Sequence, residues 1–125
     1  MASDDERLTL RLLRTARELS DALAPIVAEH DLTVDQWLSL ELLVEHQSSG
    51  LSMTDLRGRT GLAGATLTRT VDRLIVDALA HREVDPSDRR RVLVHVSKSG
   101  LARYQKSKSA VDRVEQNREE FSSVS

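Results

Sequence analysis

Three consecutive arginines, Arg89, Arg90 and Arg91, stand in the segment R-E-V-D-P-S-D-R-R-R-V-L-V-H-V-S-K-S-G that runs from Arg82 to Gly100. A guanidinium is a permanently charged, planar donor that matches phosphate oxygens and the edge of guanine. Three of them on a short hairpin repel one another, so such a hairpin projects its cations toward an anionic partner. The run Ala80 to Val84 is strand-like, Asp85, Pro86, Ser87 and Asp88 make a turn, and Val92 to Val96 alternate as a second strand. Proline and aspartate at the tip predict a hairpin loop longer than the two-residue kind. Asp88 and Arg90 are two apart and share a strand face, with Arg89 on the other. The Asp88 carboxylate can therefore anchor a guanidinium, that of Arg90 or of a neighbour such as Arg69 or Arg73.

A second group of donors lies immediately upstream. Ser52 with Asp55 reads as a capping box opening a short helix, Met53 to Thr60, with Leu56 inward. Gly61 supplies a left-handed turn residue, and Leu62 plugs inward. A further helix follows from Gly64 to about Asp77, with Leu67, Val71, Leu74 and Ile75 buried and Thr66, Thr68, Arg69 and Arg73 outward. Two helices joined by a tight glycine turn form a helix-turn-helix, whose second helix fits a DNA major groove. In that setting Arg69 is the candidate for bidentate recognition of guanine, and the Thr66 and Thr68 hydroxyls suit base or phosphate contacts. Thr70 and Arg73 lie further along and reach phosphate. Ser52 and Thr54 offer hydroxyls and amides to a phosphate at the start of the first helix.

The elements that must position these groups are helical. Ser3 with Glu6 predicts a capping box, and Leu8, Leu12, Ala16, Leu19, Leu23 and Ile26 form one buried stripe of a long first helix. Pro25 should kink that helix, or end and restart it, near Leu23. Thr33 with Gln36 caps a second helix whose core face is Trp37, Leu40, Leu43 and Val44, ended by Ser48-Ser49-Gly50. Lys98 to about Phe121 predicts a last helix with a sparse seam of Leu101, Tyr104, Val111, Val114 and Phe121, before a fraying S-S-V-S. A helix-turn-helix followed at once by a basic hairpin is a winged helix. The expected class is mainly α with a small β-hairpin wing (α+β). It forms a single domain over 1–125, in which 49–97 is the winged helix-turn-helix DNA-binding region and 1–48 and 98–125 are its helical flanks.

Composition agrees with such a domain and excludes other classes. The chain has 125 residues, 30% of them charged, and no cysteine, which removes disulfides and thiolate zinc sites. The net charge of −2 hides an uneven distribution: residues 1–51 carry 4 basic and 10 acidic side chains, whereas residues 52–95 carry 8 and 6. Local patches, not the total, govern contact with nucleic acid. His30, His46, His81 and His95 have no metal-ligand spacing, and no catalytic grouping stands out, so neither a metal, a cofactor nor an enzyme activity is expected. No apolar run approaches a membrane span, and the start M-A-S-D-D-E-R lacks the basic opening of a signal peptide, so a cytoplasmic location is expected.

The segments L-S-M-T-D-L, T-G-L-A-G-A-T-L-T-R-T-V-D-R-L and R-E-V-D-P-S-D-R-R-R-V-L-V-H-V-S-K-S-G resemble the MarR family of bacterial transcription regulators. Asp88, Arg90 and Gly100 fall at the family's wing spacing. The resemblance implies a homodimer joined through its terminal helices, with two winged helices on a pseudo-palindromic duplex operator and wing arginines in the minor groove. It also implies a repressor relieved by a small phenolic or anionic molecule bound between helices 1, 2 and 5 and the winged helix, where Arg14, His30 and Trp37 are the candidate lining residues. A winged helix that binds an acidic protein is the alternative. Three departures from the family pattern stand out. Ala63 or Gly64 replaces a serine-type cap of the recognition helix, Ala78 stands where relatives often have glycine, and the sequence stops about where relatives turn into a final dimerisation helix.

Overall fold

A computed structural model describes residues 6–117 of the chain. Five helices and three strands follow in the order α1 (Leu8–Ala28), α2 (Val34–Glu45), β1 (Leu51–Ser52), α3 (Met53–Thr60), α4 (Gly64–Val76), β2 (Ala80–Asp85), β3 (Asp88–Val96) and α5 (Lys98–Gln116). The mainly α class with a β-hairpin wing is the observed one. Both internal capping boxes form. Thr33 Oγ1 accepts from the Gln36 amide while Gln36 Oε1 accepts from the Thr33 amide, and Ser52 and Asp55 do the same at α3. Each box satisfies two N–H groups that a helix start otherwise leaves open, which fixes these two helix starts within one residue of the predicted positions.

The first helix departs from expectation. Ser3 lies outside the described residues, and α1 opens at Leu8 behind Arg7, which makes no capping bond. Glu6 instead accepts from the guanidinium of Arg14. Pro25 neither ends nor restarts the helix, which runs on to Ala28. Its missing N–H removes only the bond toward the Asp21 carbonyl in the last turn, close to where the helix stops anyway. Only Leu23 and Val27 of this helix are buried, while Leu8, Leu10, Leu12 and Leu13 are exposed, Leu8 by 54%. The predicted stripe is therefore half used within one chain.

The core forms where α2, α3, α4 and α5 meet the sheet, around Leu40, Leu43, Leu56, Leu67, Leu74, Leu79 and Val94. Val44 and Ile75, both expected inside, are only partly buried against it. Trp37 stacks on Tyr104 with ring centroids 5.6 Å apart, and its Nε1–H donates to Ser107 Oγ at 3.0 Å. That bond fills the one polar demand of a buried indole and clamps α2 to α5. The α2 helix stops at Glu45, ahead of the serines expected to end it, and α5 closes at Gln116 with Phe121 outside the described residues.

The sheet has three strands, not the two of an isolated hairpin. β1 pairs antiparallel with β3 through Leu51↔Val94 and Ser52↔Leu93, giving the order β1-β3-β2. A two-residue strand has no periodicity to read, and its pairing is non-local. Ser52 thus serves as strand and as helix cap at once.

The junction between α4 and β2 explains one sequence oddity. Ala78 sits in the left-handed region at φ 62°. Its amide donates to the Ile75 carbonyl at 3.0 Å and the Leu79 amide to the Leu74 carbonyl at 2.8 Å, closing α4 with a Schellman turn. That turn keeps its usual shape despite the alanine, whose strain is about 1 kcal/mol. We expect Ala78→Gly to raise stability by about 1 kcal/mol, less the extra unfolded-state entropy of glycine. Urea unfolding at equilibrium reads this directly, and an unchanged or lower midpoint would mean the turn is not strained.

Candidate nucleic-acid interface

The helix-turn-helix is α3, a turn through Gly61, and α4. Gly61 adopts φ 73°, the left-handed geometry that turns the chain between the helices. The buried side of α4 is Leu67, Thr70, Val71 and Leu74, which turns Ala65, Thr68, Arg69 and Asp72 outward along one stripe. Arg69 is exposed and only lightly held, its Nη2 donating to Thr66 Oγ1 at 3.4 Å. Thr68 is exposed, with its hydroxyl donating back to the Gly64 carbonyl, and Arg73 is paired with Asp77 at 3.2 Å.

Two predicted contacts do not fit. Thr70 is buried, and its hydroxyl donates to the Thr66 carbonyl at 2.8 Å. Ser52 is buried as well, with its amide and hydroxyl oxygen both engaged by Asp55. Both side chains are turned into the fold. Thr54 remains exposed on the same helix start.

In the wing, β2 and β3 pair regularly from Ala80↔Val96 to Val84↔Val92, and the register then jumps to Asp85↔Asp88. Pro86 and Ser87 alone form the tip, shorter than predicted. The jump leaves Arg89, Arg90 and Arg91 with no Cα partner on β2. The three arginines thus occupy an irregular stretch of β3 that no longer guarantees the strict alternation expected of Arg89 and Arg90. Asp88 Oδ1 accepts from the Arg90 amide at 3.1 Å and from its Nε at 3.2 Å. Of the open choices of partner, Asp88 therefore holds Arg90, whose side chain is 92% exposed. Asp85, buried at the tip, accepts from the Ser87 amide and hydroxyl at 2.9 and 2.7 Å, and these bonds hold its carboxyl below the usual range.

Sequence reasoning assigned no contact to three arginines that the fold gathers here. Arg91 Nη2 reaches Asp55 Oδ2 at 3.4 Å, joining the wing to α3. The bonds between Asp55 and Ser52, and then the Arg91 charge, keep the Asp55 carboxyl low. Arg82 on β2 pairs with Asp72 on α4. Arg57 of α3 lies over the start of α4, its Nη1 3.6 Å from where a Cβ on Gly64 would stand. Ala63 caps α4 without any side-chain bond, so the Arg57 cation stands beside the positive end of a helix dipole, an arrangement that favours an anion. Thr54 and Arg57, three apart on α3, share a face, which is the local signal that was available.

A cleft of about 650 Å³ opens between the α1–α2 turn, α4 and α5, lined by Ala28, Asp31, Thr33, Gln36, Arg73 and Arg103, with Leu32 and Asp77 completing it. Its location is the one expected for an effector, but the lining differs. Trp37 is core, 3% exposed. Arg14 sits on the α1 surface between Glu6 and Glu18. His30 contributes its carbonyl to Arg103 Nη1 at 3.0 Å and is absent from the lining. Among the described residues no group of three or more acids and histidines is placed to hold a metal ion.

A model of the MarR family matches residues 30–91, from the α1–α2 turn to the last of the three arginines. The chain belongs to the MarR family. Among relatives, the homoprotocatechuate degradative operon repressor of Escherichia coli is 28% identical over 107 residues, covering 86% of this chain and 71% of that protein. Among solved structures, CouR from Rhodococcus jostii RHA1 bound to p-coumaroyl-CoA superposes with a TM-score of 0.83 at 26% identity, over 94% of this chain and 80% of that one. The S. aureus MepR–DNA complex, 24% identical, shares the fold with a TM-score of 0.81 over 90% and 82%.

Proposed function

We propose that this MarR-family chain is a sequence-specific, duplex-DNA-binding transcription regulator that represses as a homodimer and is released by a small anionic molecule. The observation that carries the reading is the joint placement of exposed Arg69 on α4 and an irregular arginine run on the adjoining wing, tied to α3 and α4 through Asp55–Arg91 and Asp72–Arg82. The α4 helix enters a major groove with Arg69 on a guanine edge, and the wing places Arg90, aimed by Asp88, and Arg89 in the neighbouring minor groove. Thr54 and Arg57 take a phosphate at the open start of α4.

Dimerisation supplies the second half-site. The four exposed leucines in the first turns of α1 are apolar surface that a second copy covers together with α5. The cleft with Arg73 and Arg103 suits an anionic effector, and Arg73 belongs to α4 itself, so occupancy there favours a dimer whose recognition helices are misspaced.

The test is to mix the purified protein with random genomic duplex fragments at moderate salt and sequence the bound pool. Enrichment of a palindromic motif with half-sites one helical turn apart, roughly 34 Å, supports the reading. Recovery without any motif counts against it.

A further inference from the structure

If a recognition helix lies in a major groove and its wing in the adjacent minor groove, one sugar–phosphate strand must pass between them. The side chains at the inner corner between α4 and β2 face that strand. Arg82 occupies this corner. It lies on β2 opposite Val94, and its Nη2 donates to Asp72 Oδ1 at 2.5 Å across ten residues of sequence. Among the described residues this is the only side-chain hydrogen bond between α4 and the sheet. Asp72 lies on the exposed stripe of α4 one turn beyond Thr68 and Arg69, and both members of the pair keep about half of their side-chain surface open.

A carboxylate on the stripe that approaches DNA is repelled by the phosphates unless a cation covers it. Arg82 provides that cover while using one of five N–H donors, which leaves the others for a second anion. Ala80, Arg82 and Val84 share one face of β2. Ala80 is buried, whereas Val84 and its cross-strand partner Val92 are exposed, so this face runs from the core out to open surface beyond the corner. Such a surface, a cation next to small apolar groups, suits a phosphate with its deoxyribose.

We infer that Arg82 is a DNA-phosphate contact on the strand between the two grooves and that Asp72 is its positioning residue, setting the distance from recognition helix to wing. The inference rests on the DNA-binding reading above and adds to it a residue pair.

The test measures binding to a random-sequence 30-base-pair duplex over a range of salt, for the full chain and for Arg82→Ala, Arg82→Gln, Arg82→Lys and Asp72→Asn, with thermal unfolding of each. The glutamine variant retains much of the side-chain stem and so stands in if the alanine variant fails to fold. Loss of one phosphate contact per protomer lowers the slope of log K against log salt by about 0.9 per protomer. Arg82→Ala and Arg82→Gln should show that drop while remaining folded, and Arg82→Lys should restore most of it. Asp72→Asn should weaken binding in the Arg82 protein and have no such effect in Arg82→Gln. A wild-type slope in folded Arg82→Gln overturns the phosphate contact, and tighter binding by Asp72→Asn in both backgrounds overturns the positioning role. If the unaltered protein binds no duplex at any salt, the DNA-binding reading falls and the inference with it.

Discussion

Gly100→Ala should lower the thermal unfolding midpoint by roughly 10–15 °C. A Cβ at Gly100 would stand 2.0 Å from the Leu79 carbonyl oxygen and 2.8 Å from Val96 Cγ2. The carbonyl has nowhere to go. It accepts from the Ser97 amide at 3.0 Å, while the Leu79 amide donates to Leu74 at 2.8 Å in the turn that closes α4, and Ser97 Oγ holds the Ala78 carbonyl at 2.7 Å. Overpacking typically costs about 1–3 kcal/mol when side chains can yield. Here the obstacle is backbone, so the start of α5 must lift away and the loss sits at or above the top of that range, about 3 kcal/mol. Gly58→Ala is the control, because nothing lies within 4 Å of its Cβ position in α3. Unfolding followed by circular dichroism decides it: a Gly100→Ala midpoint within a few degrees of the parent would mean that α5 does not approach Leu79 so closely.

The same close approach explains why glycine stands at the wing's end in the sequence, a position whose spacing could be noticed but whose cause could not. What was legible from sequence rests on local rules. The capping boxes at Thr33 and Ser52 and the turn glycine at Gly61 act over three or four residues, and the elements they bound were correctly placed. The failures come from interactions at long range. β1 exists only because Leu51 and Ser52 meet Val94 and Leu93. The partners of Arg91 and Arg82 lie 36 and 10 residues away, so nothing in their local pattern separates them from solvated arginines. Thr70 failed for another reason. A threonine in a helix can return its hydroxyl to the carbonyl four residues back, and so meets its own polar demand on a buried edge where a polar letter reads as surface. The cleft between the α1–α2 turn, α4 and α5 takes its walls from the Asp31 turn, with φ 58°, and from Arg103, neither of which carries a sequence signal of its own.

Arg69→Ala and Arg90→Ala should damage DNA binding in different ways, and the difference separates base reading from backbone holding. Arg69 projects from the exposed stripe of α4 with only a long bond from Nη2 to Thr66, so its guanidinium is little committed within the fold and can turn to a guanine. Its loss should remove about 1–3 kcal/mol of discrimination at one base pair in each half-site, roughly 5- to 150-fold, and leave the salt slope nearly intact. Arg90 is different because Asp88 fixes its amide and Nε, which orients the remaining donors outward from an irregular strand edge. Exposed and pre-oriented, it gives a charge to a minor groove with little sequence content. Arg90→Ala should therefore weaken binding to all duplexes alike and reduce the salt slope by about 0.9 per protomer. Surface ion pairs contribute little to folding, ~0–1 kcal/mol, so neither variant should unfold the protein. Sequencing of bound random fragments for each variant, together with salt titration on one selected duplex, reads both quantities in a single preparation. A motif that narrows its loss to one column for Arg69→Ala and stays unchanged for Arg90→Ala assigns the roles as stated. Unchanged affinity in Arg90→Ala would remove the wing from the interface, and the irregular arginine run would then need an anionic partner other than DNA.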